Sequence, residues 1–196
     1  HDALPIYIIY EKNGKGKEYF GHEDRLIYEG EYLNGERNGK GKEYYNNGKL
    51  KFVGEYLEGK RSGKGKELYE NGELKFEGEY LSGEKSGKGK DYYDNSNLKF
   101  EGEYMSGKRN GKVKEYYENG KLKFEGEYLT GEKSGKVKEY SINGELKFQG
   151  EYLNGKRWNG KGNEYYENGR LEFQGEYLNG VRNGKGIEYY KNGELE

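Results

Sequence analysis

The chain has 196 residues, of which 36% are charged and only 30% are hydrophobic, and 35 Lys and Arg balance 36 Asp and Glu to a formal net charge of -1. Because soluble domains usually carry about 45–50% apolar residues, a single conventional core is excluded, while the 16% aromatic content and the balanced charge exclude ordinary disorder. The absence of Cys excludes disulfides, Cys-ligated zinc and thiol nucleophiles, and a pI near 6.3 lacks the basic footprint of a nucleic-acid partner.

The first six residues, His1-Asp2-Ala3-Leu4-Pro5-Ile6, match nothing in the rest of the chain. One reading frame of a short sequencing adapter encodes the same six residues, and we interpret residues 1–6 as a non-native assembly scar that is excluded from fold reasoning. Residues 7–196 are expected to form a repeat array, with about seven full units and a partial unit at each end.

Internal repeats organise this array. The triplet Gly-Glu-Tyr begins at Gly30, Gly54, Gly78, Gly102, Gly126, Gly150 and Gly175, so the period is 24 residues five times and then 25. The additional residue is Trp158, which we expect to bulge its strand. A fixed period of this length is typical of repeat architectures in which each unit packs on its neighbours.

Turn signals divide every unit into two strand-length segments. Asn-Gly pairs such as Asn71-Gly72 alternate with pairs such as Ser82-Gly83, and the segments between them are rich in Tyr and Phe. Asn-Gly is typical of a two-residue type I′ hairpin loop. The pattern therefore predicts an all-β fold, an elongated single-layer antiparallel β-meander built of hairpin repeats of 24 residues.

The turns also predict a register. A two-residue loop at Asn71-Gly72 places Tyr69 opposite Leu74, Glu67 opposite Phe76, Gly65 opposite Gly78 and Lys66 opposite Glu77. The same parity across Ser82-Gly83 places Gly89 beside Phe76 and Lys88 beside Glu77. One face then carries the aromatic rings, with Gly leaving room for them, and the other carries rows in which each Glu lies between two Lys.

The stretch Tyr28-Glu-Gly-Glu-Tyr-Leu-Asn-Gly-Glu-Arg-Asn-Gly-Lys-Gly41 resembles the membrane occupation and recognition nexus (MORN) repeat, and the match recurs along the array. Tyr stands where the family often has Trp, and the Leu-Lys-Phe-Glu-Gly stretch is similar to a bacterial variant. The resemblance implies an elongated, twisted sheet of hairpins that binds or dimerises with proteins, or binds phosphoinositide membranes.

Catalytic chemistry finds little support in the residues. The two histidines are His1, within the predicted scar, and His22, in a Gly-His-Glu-Asp turn without metal-ligand spacing. Because the carboxylates recur at equivalent positions, they indicate a charge ladder and not a tuned acid–base pair. We expect no enzyme activity, no metal and no cofactor.

The functional prediction is a non-catalytic scaffold for protein–protein interaction. In a single layer the rings are expected to stay partly open along one groove, and aromatic residues are enriched at interfaces. Val113 and Val137 replace Gly on this face and mark the most specific point. The predicted partner-binding residues are Phe76, Tyr80, Phe100, Tyr104, Val113, Phe124, Tyr128 and Val137.

Three alternatives stay open. A peripheral membrane module would bind anionic phosphoinositides through a basic edge containing Arg61, Arg109 and Arg157. In the second alternative, the array is the non-catalytic repeat region of a larger enzyme. Unpaired strands near Tyr7 and Glu196 favour self-association through the sheet ends. The absence of an Asn-x-Ser/Thr sequon is compatible with the expected cytoplasmic location.

Overall fold

The structure is a computed structural model that describes residues 6–10, 13–21 and 25–195, with only the backbone described for 6–10. The predicted scar lies outside these residues except for Ile6, and His22 also lies outside them. The described residues form sixteen strands: β1 (Ile6–Tyr10), β2 (Gly14–Phe20), β3 (Arg25–Leu33), β4 (Glu36–Tyr44), β5 (Leu50–Leu57), β6 (Lys60–Leu68), β7 (Leu74–Leu81), β8 (Glu84–Tyr92), β9 (Leu98–Met105), β10 (Lys108–Tyr116), β11 (Leu122–Leu129), β12 (Glu132–Tyr140), β13 (Leu146–Leu153), β14 (Lys156–Tyr165), β15 (Leu171–Leu178) and β16 (Val181–Glu188).

The chain divides into two compact units, one of residues 1–98 and 104–107 and the other of residues 99–103 and 108–196. In the first unit β1 to β8 pair antiparallel in chain order. In the second unit β10 to β16 do the same. The predicted all-β hairpin meander is confirmed. In the part of the chain that the structure describes, no helix is long and apolar enough to cross a membrane.

From β3 onward, two-residue type I′ loops occur at the turns that join each odd strand to the following even strand. Ser82 has φ 51° and Gly83 has φ 89°, and the flanking Leu81 pairs with Glu84. Both central residues of a type I′ turn need positive φ, which Asn and Gly adopt most readily. Asn34, Asn154 and Asn179 occupy the first position in other repeats, whereas Thr130 occupies it in one.

The Asn-Gly turns have a different geometry, so the predicted type I′ loop is wrong there. At Asn71-Gly72 the positive φ of 93° belongs to Gly72 and not to Asn71. The amide of Gly72 donates to the Tyr69 carbonyl, and the amide of Tyr69 donates to the Glu73 carbonyl. Asn71 accepts a hydrogen bond from the Glu73 amide at its Oδ1. Because the loop is longer than two residues, Leu68 and not Tyr69 faces Leu74.

Bulges change the register across the type I′ hairpins. Between β6 and β7 the predicted pairs Glu67–Phe76, Gly65–Gly78 and Lys66–Glu77 are confirmed. Between β7 and β8, however, the chain slips at Gly87 and Lys88. Asp91, and not Gly89, therefore lies beside Phe76, and Lys90, and not Lys88, lies beside Glu77. The β3–β4, β5–β6, β11–β12, β13–β14 and β15–β16 hairpins also carry a bulge, which adds local twist to the sheet.

The two faces of the sheet have different compositions. The aromatic face carries Phe76 and Tyr80 of β7 and the equivalent residues of the other odd strands from β3 to β15, and these rings form the core. The Lys/Glu face carries Lys66, Glu77 and Glu79 and their equivalents. In β5, β7, β11, β13 and β15 the Phe meets the Tyr of its own strand edge to face, with ring centroids 5.5 Å apart for Phe76 and Tyr80, a geometry that adds about 0.5–1.5 kcal/mol to area burial.

Candidate interaction surfaces

The predicted aromatic groove is closed. The exposed fractions of the predicted partner-binding residues are 0% for Phe76, 4% for Tyr80, 0% for Phe100, 7% for Tyr104, 5% for Val113, 0% for Phe124, 9% for Tyr128 and 4% for Val137. The expectation that these rings stay partly open is therefore wrong, because other side chains of the same face cover them. As buried residues they contribute to stability, and any binding role for them stays a prediction.

Basic side chains form the cover over the rings. In the first unit the Cζ atom of Arg61 lies 4.0 Å from the Phe52 ring centroid, and Nζ of Lys85 lies 3.8 Å from that of Phe76. In the second unit Arg109 covers Phe100 at 4.2 Å. A cation over a ring face is attracted to the ring quadrupole, and its aliphatic stem shields the ring from water.

Carboxylates on the same face hold these cations. Nη2 of Arg61 lies 2.8 Å from Glu43 Oε2, and its Nη1 lies 2.6 Å from Glu67 Oε1. Glu43 also accepts a hydrogen bond from the Tyr56 hydroxyl at 2.6 Å. Burial raises the pKa of Glu43, but the hydrogen bonds from Arg61 and Tyr56 outweigh burial and hold that pKa below its usual value.

In the repeats that carry Lys instead of Arg at the position of Arg61, the cluster of ion pairs is smaller. Lys85 pairs with Asp91 of its own hairpin at 2.7 Å, and Lys133 pairs with Glu139 at 3.1 Å. Arg61, by contrast, reaches the acidic residues of two successive repeats. The sequence carried a signal for this arrangement that our prediction missed: a basic residue recurs at 37, 61, 85, 109, 133, 157 and 182.

The three arginines of the lipid alternative belong to this buried layer. Arg61 and Arg157 have side chains only 18% and 19% exposed, and Arg109 is 30% exposed. Arg157 covers Phe148 and pairs with Glu139 at 2.9 Å, and Arg109 pairs with Glu115. Their charges are therefore largely committed within the protein, and a role in lipid binding stays a prediction.

Val113 and Val137 pack into the core of the second unit. Val113 lies opposite Gly126, and Val137 lies opposite Gly150. On its other side, Val113 lies beside Gly102 of β9. A Cβ atom built on Gly102 would lie 2.7 Å from Cγ1 of Val113, so the valine occupies space that Gly102 leaves open. The two valines thus form no exposed apolar patch on the aromatic face.

The Trp158 insertion produces the predicted bulge. Tyr152 pairs with Arg157 while Glu151 pairs with Asn159, so Trp158 has no partner across the strand pair. The insertion also shifts the strand: Phe148 faces Gly162, whereas the equivalent Phe124 faces Glu139. Trp158 packs beside Gly180 of the next hairpin.

Open grooves lie instead on the Lys/Glu face. In the second unit a groove of about 700 Å³ crosses strands β10 to β13, and in the first unit a groove of about 580 Å³ crosses β2 to β5. The second-unit groove is lined by charged residues of both signs, and the charged and amide side chains along it are Lys112, Lys114, Glu125, Glu127, Lys136, Lys138, Gln149 and Glu151. We call it the Lys/Glu groove.

A regular ladder lines this face. Glu77 lies between two lysines, as predicted, although the second is Lys90 and not Lys88. It also accepts a hydrogen bond from the Tyr92 hydroxyl at 2.8 Å. The pattern is interrupted at Gln149, which lies between Lys138 and Lys161 and has no carboxylate to offer them. Lys138 turns to Glu125 at 3.5 Å. Lys161 likewise pairs with Glu176 at 3.3 Å, so both lysines are held by carboxylates on their outer sides and none lies between them.

No group of three or more metal-ligating side chains suited to an ion occurs among residues 13–21 and 25–195. The arrangement seen on both faces is a repeated set of ion pairs, hydrogen bonds and ring contacts. It supports binding chemistry along a surface.

Comparison with protein families identifies the repeats. The model described as MORN repeat matches residues 28–49, 52–73 and 173–194, and the model described as MORN repeat variant matches residues 85–105, 109–129 and 158–179. No curated protein matches the chain. Among solved structures, a chain of the crystal structure of the GtfA/B complex bound to UDP and GlcNAc is similar at 9% identity and a TM-score of 0.19. The match covers 75% of this chain and 24% of that one, and a likeness this low carries no argument.

Together the family matches, the 24-residue period and the hairpin meander show that the chain belongs to the MORN repeat family, whose repeats serve as interaction or membrane-binding modules.

Proposed function

We propose that the chain is a non-catalytic scaffold that binds an extended, acidic segment of a protein partner in the Lys/Glu groove of the second unit. The single observation that carries the proposal is Gln149, which places an amide between Lys138 and Lys161 where the equivalent ladder position has Glu77. Each of these lysines is then held by a carboxylate on one side only, Glu125 for Lys138 and Glu176 for Lys161. A carboxylate from a partner segment would complete the ladder. Charge complementarity of this kind gives specificity and raises the association rate.

The charge pattern favours a polypeptide over an anionic membrane. Glu125, Glu127 and Glu151 interleave with the lysines of the groove. A lipid surface with uniform negative charge would be repelled by every second row, whereas a polypeptide places its charges one by one. The arginines that a basic edge would need are paired with carboxylates.

A peptide selection tests the proposal. A random peptide display library is panned on the immobilised chain, and the dissociation constants of enriched peptides are measured by fluorescence anisotropy. We expect enrichment of Asp- and Glu-containing peptides. Gln149→Glu supplies the missing carboxylate from within and should weaken binding at least fivefold, because the added charge competes with the peptide.

The matched control adds the same charge away from the groove. Ile142→Glu lies at an exposed turn and should change peptide affinity by less than twofold. Vesicles with and without phosphoinositide are sedimented with the chain in parallel. Equal loss of peptide binding in both variants, or phosphoinositide-dependent sedimentation without any peptide enrichment, contradicts the proposal. Ser variants of Tyr104 and Tyr128 are unsuitable, because both residues are buried and would report on folding.

A further inference from the structure

The turn between β12 and β13 differs from the equivalent turns of other repeats in how its asparagine is held. In the β6–β7 turn, Oδ1 of Asn71 accepts a hydrogen bond from the Glu73 amide at 2.9 Å, and its Nδ2 donates to the Asp94 carbonyl of the next repeat at 3.1 Å. The same two kinds of contact hold the carboxamides of Asn119 and Asn168. In these turns the side-chain carboxamide is therefore tied at both ends.

In the β12–β13 turn, Ser141 stands where the β6–β7 turn has Tyr69. Oγ of Ser141 accepts hydrogen bonds from the Glu145 amide at 3.1 Å and from the Asn143 amide at 3.3 Å. The first of these donors is the amide that the asparagine side chain holds in the equivalent turns. No hydrogen bond is recorded for the Asn143 side chain in the part of the chain that the structure describes. The Asn143 carboxamide is therefore free to rotate.

We propose that Asn143 is a site of non-enzymatic deamidation, the fastest among the turns that join an even strand to the following odd strand. The Gly144 nitrogen attacks Cγ of Asn143 and gives up its proton to water, and the carboxamide nitrogen leaves as ammonia, which closes a succinimide ring. A water molecule then opens the ring at either carbonyl and leaves aspartate or isoaspartate. Asn is a thermally unstable residue, and Gly has no side chain to hinder ring closure.

Other features of the two turns are matched, so the contacts of the carboxamide decide the ranking. Asn71 and Asn143 are both exposed. The Gly144 amide donates to the Ser141 carbonyl at 2.9 Å, and the Gly72 amide makes the equivalent bond at the same distance. The φ angles of the two glycines are 94° and 93°. Two hydrogen bonds of ordinary strength that must break before the attack slow the reaction about fivefold or more.

Asn-Gly pairs elsewhere in the second unit are restrained in other ways. In a type I′ turn the Gly155 amide donates to the Lys133 carbonyl of the preceding hairpin at 3.1 Å, so an attack by this nitrogen would separate two hairpins. Asn110 lies within β10, and its Oδ1 accepts a hydrogen bond from the Thr130 amide at 3.3 Å. These pairs are expected to react more slowly than Asn143.

Deamidation at Asn143 adds one negative charge at the edge of the second unit. Lys121 donates from Nζ to the Asn143 carbonyl at 3.0 Å, so the new carboxylate forms beside an ammonium group. The isoaspartate product also lengthens the backbone before Gly144, which disturbs the hydrogen bond from Gly144 to Ser141. The modified chain thus differs in charge and in the local stability of the β12–β13 hairpin.

Peptide mapping of an aged sample tests the proposal. The full chain is kept at mildly alkaline pH, samples are digested with trypsin over several weeks, and mass spectrometry with electron-transfer fragmentation measures aspartate and isoaspartate at each Asn-Gly pair. Residues 139–147 and 67–75 form matched tryptic peptides that contain Asn143 and Asn71. We expect Asn143 to react at least fivefold faster than Asn71 in the folded chain, and the two rates to agree within about threefold in guanidinium chloride, where the hydrogen bonds are lost.

Two variants locate the cause of the difference. Ser141→Tyr restores the residue of the equivalent turns and should slow deamidation of Asn143 at least fivefold, because the Glu145 amide becomes available to the Asn143 side chain. Ile142→Glu is the matched control: it restores the neighbouring residue of those turns but keeps Ser141, and should change the rate by less than twofold. Circular dichroism confirms that each variant is folded.

Three outcomes overturn the proposal. Equal rates at Asn143 and Asn71 in the folded chain would show that the free carboxamide has no effect. A rate ratio that persists in guanidinium chloride would place the cause in the neighbouring residues and not in the folded turn. A folded Ser141→Tyr chain that deamidates at Asn143 as fast as the natural chain would remove Ser141 as the cause.

Discussion

Arg61 and Glu43 form a bidentate ion pair between successive repeats, with Nε 2.9 Å from Oε1 and Nη2 2.8 Å from Oε2. Both side chains are more than four-fifths buried. The same guanidinium covers Phe52 and reaches Glu67. One side chain thus closes the core and links neighbouring repeats, which makes it a sensitive point for stability.

Replacing Arg61 tests this link. Arg61→Met should lower the free energy of unfolding by about 3 kcal/mol, because Glu43 would be left buried without its cation. Arg61→Lys keeps the charge but loses the second carboxylate, and should cost about 1 kcal/mol. Urea unfolding followed by circular dichroism at low protein concentration measures both. The exposed neighbour variant Lys60→Met should stay within about 0.5 kcal/mol of the natural chain. An Arg61→Met cost no larger than that control would contradict the assigned role.

Gly65 leaves space for a ring of the aromatic face. A Cβ atom built on Gly65 would lie 2.5 Å from Cζ of Phe52 and 3.2 Å from Cε2 of Tyr80. Gly65→Ala should therefore destabilise the chain by about 2 kcal/mol through overpacking. The control Gly48→Ala, at φ 79° with no atom within 4 Å, should cost about 1 kcal/mol from backbone strain alone. In a chain that already carries Phe52→Leu, Gly65→Ala should cost less than it does in the natural chain, whereas Gly48→Ala should cost the same in both. Additive costs for both pairs of substitutions would refute the steric explanation.

Thr130 is a β-branched residue in the left-handed region, at φ 51°. Asn occupies the same turn position at Asn34 and Asn154, and tolerates this conformation better than Thr. Thr130→Asn should raise the free energy of unfolding by about 0.5–1 kcal/mol. Chemical denaturation provides the measurement, and Ser82→Asn should give a smaller gain because Ser is not branched. An unchanged or lower stability for Thr130→Asn would mean that the threonine is not strained.

Buried carboxylates should make stability fall in acid. Burial raises the pKa of Glu43 and of Glu139, but hydrogen bonds from Arg61 and Arg157 respectively outweigh it, so both pKa values lie below the ordinary value of 4.5. Below pH 4.5 the unfolded chain therefore binds more protons than the folded chain. The stability that the two ionised carboxylates contribute is lost as the pH falls from 4.5 through their folded-state pKa values. Urea midpoints at a series of pH values should show the loss. Glu43→Gln should flatten the dependence, and an unchanged slope would argue against Glu43 as a source.

Tyr28 should contribute the opposite dependence in alkali. Burial raises its pKa to about 12 from 10.0, so the folded state holds the proton that the unfolded state releases, and stability is lost as the pH rises from 10 towards 12. Its hydroxyl is buried with no recorded hydrogen-bond partner. Tyr28→Phe, which copies the residue at Phe52, should stabilise the chain by about 1 kcal/mol at pH 7. It should also weaken the alkaline loss, followed by tyrosinate absorbance and circular dichroism, and no change in either would contradict the assignment.

The register shows how far local patterns reach. The pairs Glu67–Phe76 and Lys66–Glu77 follow from alternation along the strands, and they are correct across one turn. Across the next turn the bulge at Gly87 and Lys88 moves the pairing, so the predicted partners of Phe76 and Glu77 were wrong. A bulge is favoured by its neighbours in space as well as by its own residues, and the sequence pattern carried no separate signal for it.

By itself, the sequence determined the repeat period, the hairpin meander, the division into an aromatic and a Lys/Glu face and the family, because turn residues and the alternation of side chains act over a few residues. Only the tertiary structure decided which turns are type I′, that the rings of Phe76 and Tyr80 are covered, and that the open groove lies on the Lys/Glu face. The cover depends on contacts such as Arg61 with Glu43, whose residues are 18 positions apart in sequence. Their meeting is set by how strand pairing, bulges and twist accumulate, and these depend on packing between hairpins more than on the residues within one.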